Sequence, residues 1–285
     1  MATYLVTGAS GQLGQLVVDK LRTLVPASDI FALVRSDEAR QTYEAKGIAT
    51  RRGDYDDPES LRAAVEGIDR LLLISSSEIG KRALQHKNVL DAAKSASVGY
   101  VVYTSLLNAD RGGMALAEEH IATEASLKAS GIPHAILRNG WYSENIAGTA
   151  SQALSLGQHF GAAGAGRFAT ASRRDYAEAA ARVLAGEGHV GKTYELGGDS
   201  SFTLPEYAGL LGELSGQPVS YVNLDENEYR AALVAAGLPE SFAAILADSD
   251  AKAANGALAT DSGDLTRLIG RPTTPMRKTL EDFVA

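Results

Sequence analysis

The segment Thr7-Gly8-Ala9-Ser10-Gly11-Gln12-Leu13-Gly14 puts glycine at every third position between an apolar run and a helix-period run. In that context Gly8 permits a tight turn, Gly11 lets backbone approach a pyrophosphate, and Gly14 lets the following helix pack closely on its strand. The backbone of Gly8, Ala9, Ser10, Gly11, Gln12 and Leu13, with the positive end of the helix behind it, is then a cradle for phosphates. About 20 residues further on, a dinucleotide site needs a partner for the adenosine ribose, and Arg35 stands there. A guanidinium pairs with a 2′-phosphate and stacks on adenine, so NADPH is the expected cofactor; Asp37, two residues later, keeps NADH open. The chain has no cysteine. Disulfides, iron–sulfur clusters, thiolate zinc sites and thiol catalysis are therefore excluded, and redox chemistry must come from a bound cofactor.

The elements that position these residues follow from periodicity. Thr3 to Thr7 reads as a first strand, and Leu13, Leu16, Val17, Leu21 and Leu24 recur at helical spacing after the glycine turn. Further strands are predicted at Ile30–Val34, Ile48–Arg51, Arg70–Ile74, Tyr100–Thr104 and His134–Leu137. Helices are predicted over Glu59–Glu66, Ala83–Ala96 and Met114–Ser130. This alternation implies an α/β fold, a Rossmann-type doubly wound parallel sheet. Past Leu137 the pattern is irregular: Ser172 caps a helix to Leu184, Lys192–Leu196 is a strand, and Thr203 caps another helix with Pro205 just inside it. The expected organisation is a nucleotide-binding domain over residues 1–185 and a smaller, mixed C-terminal lobe over 186–285, the lobe receiving part of 139–165.

Composition agrees with an ordinary soluble globular protein, at 45% hydrophobic and 22% charged residues in 285. A net charge of −8 opposes attachment to nucleic acid or an anionic membrane. The start, Met-Ala-Thr-Tyr-Leu-Val-Thr-Gly, lacks the basic and apolar regions of a secretory signal, and no apolar run approaches the ~20 residues of a membrane span. A cytoplasmic protein is expected.

Beyond the glycine run, LLLISSSE (Leu71–Glu78), YTSLLNAD (Tyr103–Asp110), LRNGWYSEN (Leu137–Asn145), YELGGDS (Tyr194–Ser200) and LIGRPTT (Leu268–Thr274) together resemble the NmrA-like atypical short-chain dehydrogenases, of the bacterial NAD(P)H:quinone oxidoreductase 2 type. The resemblance spans essentially the whole chain. It implies cofactor contacts from Gly8–Leu13, Arg35, Ser75, Ser76 and Ser77, from Asn139, Gly140, Trp141, Tyr142, Ser143 and Glu144, and from Arg173. These segments follow the carboxyl ends of predicted strands, where ligands bind in open α/β sheets.

Short-chain dehydrogenases that interconvert alcohols and ketones carry Tyr-x-x-x-Lys after the fifth strand, and this chain has no such pair; Leu116 and His120 stand at the equivalent positions. Hydride addition to a ketone makes an alkoxide that needs an acid. Addition to a quinone makes a phenolate-like anion, with a conjugate acid of pKa about 10 by analogy with tyrosine, which takes its proton from water. A site without a dedicated acid thus suits NADPH-dependent, flavin-free reduction of quinones or similar conjugated acceptors. His120 is the candidate catalytic helper, and Thr104, Ser105 and Tyr142 the candidate substrate-lining residues. The family also includes non-catalytic NADP sensors and reductases of conjugated dyes, which remain alternatives. No metal is expected, the partner is a small molecule, and a monomer or homodimer is anticipated. The Asp54–Asp57 cluster reads as a solvated turn, and Gly161–Gly166 as a mobile loop beside the site.

Overall fold

Leu5, Leu71 and Val101 sit in three short apolar runs, are fully buried, and lie side by side in parallel register. The computed structural model describes residues 2–284. The chain runs β1 (Tyr4–Val6), α1 (Gln12–Leu21), β2 (Ile30–Val34), α2 (Asp37–Ala45), β3 (Ala49–Arg52), α3 (Pro58–Val65), β4 (Arg70–Leu73), α4 (Arg82–Ser95), β5 (Tyr100–Leu106), α5 (Ala117–Ser130) and β6 (His134–Asn139). Then come α6 (Ser143–Ala147), α7 (Ala150–Leu156), β7 (Gln158–Gly161), β8 (Arg167–Phe168), α8 (Arg173–Ala185) and β9 (Thr193–Leu196). The last elements are β10 (Phe202–Thr203), α9 (Leu204–Ser215), β11 (Ser220–Asn223), α10 (Glu226–Ala235), α11 (Glu240–Ala253), α12 (Asp264–Ile269) and α13 (Met276–Val284).

Seven strands form one sheet in the order β3-β2-β1-β4-β5-β6-β9, with β1 parallel to both β2 and β4. This is the Rossmann-type sheet expected from the alternation. The strand order reverses between β1 and β4, so a crevice opens at the carboxyl ends of these two strands. Leu61, Val89, Leu90 and Leu127, from α3, α4 and α5, build a core with Leu5, Leu71 and Val101. On α1, Val17, Val18 and Leu21 are buried, and α1 packs against α8.

Several expectations need correction. Helix α1 stops at Leu21, leaving Leu24 39% exposed rather than on the buried stripe. Helix α2 was not anticipated, because Tyr43 is its only buried residue; it forms on the Ser36 cap, which accepts from the Ala39 N–H, with Asp37 and Glu38 in its first turn. Helix α5 starts at Ala117 rather than Met114. The Thr203 cap is present as a full capping box with Glu206.

The chain divides into two compact units. One comprises the chain up to Leu106 with Glu119–Arg138 and Arg173–Tyr194. The other comprises Leu107–Glu118, Asn139–Ser172 and everything from Glu195. The boundary therefore falls after Tyr194, not at residue 185, and the short segment Leu107–Glu118 joins the second unit. In that unit β11 pairs in parallel with β7, and β10 antiparallel with β8. The segment after β7 is anchored, not a loose loop: the N–H groups of Ala162, Ala163 and Gly164 donate to Asp250 Oδ2 (3.0 Å), the Tyr221 hydroxyl (3.3 Å) and Asn223 Oδ1 (2.7 Å). Among the described residues no helix is long and apolar enough to cross a membrane.

Helix α1 can start where it does only because Gly14 has no side chain. A Cβ there would lie 2.2 Å from the Gly8 carbonyl oxygen and 2.7 Å from the Ala9 Cα, both backbone atoms. Gly14→Ala is expected to lower stability by about 1–3 kcal/mol as backbone shifts to relieve this overlap, read as a fall in Tm. An unchanged Tm would show that the loop yields freely.

Candidate functional site

The glycine loop leaves β1 at the point where the sheet order reverses. Gly8 has φ +57°, a left-handed conformation that glycine adopts without strain. Two side chains tie back the loop's carbonyls: the Tyr43 hydroxyl donates to the Ala9 oxygen (2.6 Å), and Gln15 Nε2 to the Ser10 oxygen (2.8 Å). The first helical bond runs from the Gln15 N–H to the Gly11 oxygen (3.0 Å). The N–H groups of Gln12, Leu13 and Gly14 thus have no acceptor within the helix. Helix α1 has no side-chain cap and no acid in its first turn, whereas α2 and α3 are capped by Ser36 and Asp57. This end of the helix suits the pyrophosphate of a dinucleotide.

Arg35 follows β2 directly, with its side chain 69% exposed and Nη1 3.9 Å from Asp54 Oδ2. Asp37 opens α2 and pairs with Arg40 at 3.3 Å. The Asp54–Asp57 turn does more than face solvent: Asp57 caps α3, and Tyr55 is drawn under the loop. The Tyr55 hydroxyl donates to the Ile74 carbonyl (2.9 Å) and bonds Thr7 Oγ1, which also accepts from the Ile74 N–H (3.1 Å). Burial pushes this phenol far above its ordinary range. Tyr55 therefore ties the ends of β1 and β4 together as a neutral group.

Ser75, Ser76 and Ser77 follow β4, as expected. The Ser75 N–H donates to Thr104 Oγ1 (2.9 Å), and the Ser76 N–H to His86 Nε2 (2.9 Å). Thr104 and Ser105 are both buried at the end of β5. Ser105 gives its hydroxyl hydrogen to Glu124 Oε1 (2.7 Å), so it faces a buried ion pair instead of an acceptor molecule. Glu124 receives Arg138 Nε at 2.9 Å and Nη2 at 2.8 Å, a two-point pairing that fixes both groups inside the unit.

His120 is 4% exposed, with Nδ1 bonded to the Tyr103 hydroxyl at 2.8 Å. Burial, then the charge of Arg82 and the repulsion His86 would exert when protonated, holds its pKa well below the usual histidine value. The imidazole is thus neutral at physiological pH, which removes the titratable proton that recommended it. Among the described residues no group of His, Asp and Glu could hold a metal ion.

In the second unit, Asn139 ends β6 with its side chain buried, and its Oδ1 has no hydrogen-bond partner. A buried acceptor of this kind is what a ligand N–H would satisfy. The following backbone is held by bonds from the Gly140 N–H to the Leu196 oxygen (2.8 Å) and from the Ser143 N–H to the Ala171 oxygen (2.9 Å). Ser143 Oγ is buried and bonds Thr170 Oγ1 (2.9 Å), while Trp141, Tyr142 and Glu144 are partly exposed. In the first unit, Arg173 opens α8 and is partly exposed. Tyr43, Tyr55, Arg82, His86 and Arg138 were missed by sequence reasoning. Their partners lie between 6 and 48 positions away, and no local spacing marks such pairs.

A family model described as NAD(P)H-binding matches residues 8–187. Quinone oxidoreductase 2 of Escherichia coli (strain K12) is 51% identical over 275 residues, 96% of each chain. An NmrA-like family domain-containing oxidoreductase of Aspergillus flavus is 29% identical over 311 residues, 99% of this chain and 94% of that one. The chain belongs to this NmrA-like, NAD(P)H-binding family. Its fold matches the crystal structure of the NADPH-dependent quinone oxidoreductase of Escherichia coli complexed with NADPH, with a TM-score of 0.97 at 49% identity over 99% of this chain and 100% of that one. The family span contains every candidate site residue from Gly8 to Arg173.

Burial of neutral histidines predicts acid lability. His86 is fully buried, and burial, with Arg82 adding, draws its pKa down to about 3. The unfolded chain binds this proton near pH 6.5, so the contribution is complete above that pH and is lost as pH falls toward 3. Stability measured by denaturant should fall between pH 7 and 5.5, and the fall should shrink by about 1 kcal/mol in His86→Gln. An equal fall in both proteins would show that His86 does not titrate on unfolding.

Proposed function

We propose that the protein catalyses NADPH-dependent, two-electron reduction of quinones without a flavin. The observation that carries this reading is the 51% identity to a quinone oxidoreductase 2 over 96% of each chain, supported by the uncapped helix α1 and the glycine cradle of this chain. The N–H groups of Gln12, Leu13 and Gly14 hold the pyrophosphate, and Arg35 pairs with the 2′-phosphate. Ser75–Ser77 and Arg173, in the same unit, hold more of the dinucleotide. Bound NADPH supplies a hydride.

The residues of the chain then position an acceptor and exclude competing chemistry. Leu116, just before α5, and His120, on it, stand where a ketone reductase carries tyrosine and lysine, and His120 is neutral and committed to Tyr103. A quinone needs no such acid, because its reduced anion takes a proton from water. Thr104 keeps a hydroxyl hydrogen at the end of β5 and is the remaining polar group there. The partner is a small conjugated molecule, and the proposed setting is the cytoplasm.

NADPH oxidation is expected on addition of small quinones to the purified protein, with a rate that stays flat between about pH 6 and 8 because His120 does not titrate there. Arg35→Ala should raise the KM for NADPH about tenfold or more and that for NADH less than about threefold. A panel of quinones giving no turnover while NADPH binds would overturn the activity. Equal losses for the two cofactors would overturn the role of Arg35.

A further inference from the structure

The connection after β4 is fixed by two side chains of α4. The Ser76 N–H donates to His86 Nε2 (2.9 Å), and the Ser76 carbonyl accepts from Arg82 Nε (2.7 Å). Arg82 and His86 stand four positions apart, one turn of helix, and so face the same way. The two bonds hold the two peptide planes that flank the Ser76 Cα. Rotation of either plane would redirect the neighbouring serines.

The donor and acceptor assignment around His86 is complete. Nε2 accepts from Ser76 and so has no hydrogen; the ring hydrogen is on Nδ1, which donates to Thr123 Oγ1 at 2.9 Å. Thr123 in turn donates to the Glu119 carbonyl at 2.8 Å. Edge contacts with Tyr55 and Tyr103, at ring distances of 6.2 and 5.4 Å, fix the plane of the imidazole. The groups around it include Arg82 on its own helix, Tyr55 from the turn after β3, Tyr103 on β5, and Thr123 and His120 on α5. A helix cap or a sheet partner could have satisfied the Ser76 N–H locally. Instead a fully buried imidazole, itself anchored on a third element, serves that one amide.

We propose that His86 is a positioning residue of the dinucleotide site, holding the Ser76 peptide so that Ser75–Ser77 present a fixed surface to the cofactor. This rests on the assignment of that serine segment to the cofactor under the proposed function. His86 does not touch the cofactor; it acts through the Ser76 backbone. Its removal loosens a segment that must then be ordered on binding, so the loss falls on affinity rather than on the chemical step.

The two ring nitrogens can be tested separately. In His86→Gln an amide oxygen takes the place of Nε2 and still accepts from Ser76, whereas His86→Asn keeps a donor toward Thr123 and leaves the Ser76 N–H without a partner. His86→Asn should raise both the Kd and the KM for NADPH about tenfold, with kcat within about twofold of the parent. His86→Gln should stay within about threefold on all three. Backbone exchange over residues 74–78 should quicken in His86→Asn only. If His86→Asn does not fold, Thr123→Val releases the Nδ1 anchor and should raise the Kd about threefold with unchanged kcat. Equal NADPH affinities in the two His86 variants, or an unaltered Kd in Thr123→Val where that variant has to be used, overturn the role of His86. So does a loss confined to kcat. Failure of the unaltered protein to bind NADPH overturns the functional reading together with this one.

Discussion

The approach of Gly14 to the Gly8 carbonyl is the constraint on which the cofactor side of the molecule depends. With 2.2 Å left for a Cβ, only glycine allows α1 to begin directly beside the end of β1. That start exposes three helical N–H groups where the sheet order reverses, and Tyr43 and Gln15 remove the competing carbonyls from the same surface. Helix α2, which contributes little to the core, acquires a purpose from this: it brings Tyr43 to Ala9. A loop of small residues would otherwise be free to move, and its rigidity comes from the side chains beneath it.

The same economy recurs along the carboxyl ends of β4 and β5. Tyr55, Thr104 and His86 each bond backbone beyond the last sheet hydrogen bond of β4, so the strand is prolonged by side chains where the sheet ladder has stopped. Burial keeps these groups uncharged, raising the Tyr55 phenol and lowering the His86 imidazole. Neutral donors and acceptors with complete pairing cost little to bury, while an ionised group in their place would demand a partner. The charged pair that is buried, Glu124 with Arg138, has two-point geometry and a further bond from Ser105. Removing one partner of such a pair leaves a desolvated charge, so it constrains the structure more than it stabilises it.

Much of the sheet was legible in the sequence because its strands are short apolar runs set off by turns, and Ile30–Val34 coincides with its predicted limits. The glycine loop was legible because spacing and context agree. Helix α2 was not, since one buried tyrosine gives no period. Arg138 and His86 were invisible for a different reason: a buried polar residue declares its role only through a partner brought close by folding. Ser105 shows the converse. Its position marked it as a strand-end hydroxyl, and nothing local showed that strand β5 runs on to Leu106 with that hydroxyl bonded to Glu124. The loop at Gly161–Gly166 looked mobile by composition, and three side chains far along the sequence hold it.

Two arginines show why charge count says so little about ligand choice. Arg138 is buried, with its guanidinium held at two points by the Glu124 carboxylate. Arg35 is 69% exposed and meets Asp54 only at 3.9 Å, a contact of the kind worth about 0–1 kcal/mol. Exchanging that weak partner for a doubly charged phosphate costs little and gains charge-assisted bonds roughly twice as strong as neutral ones. Asp37, the residue that would favour an unphosphorylated ribose, lies in the first turn of α2 in an exposed pair with Arg40 at 3.3 Å. Under the proposed function Arg35, and not Asp37, meets the adenosine ribose, a choice made by one side chain in a protein whose net charge is −8.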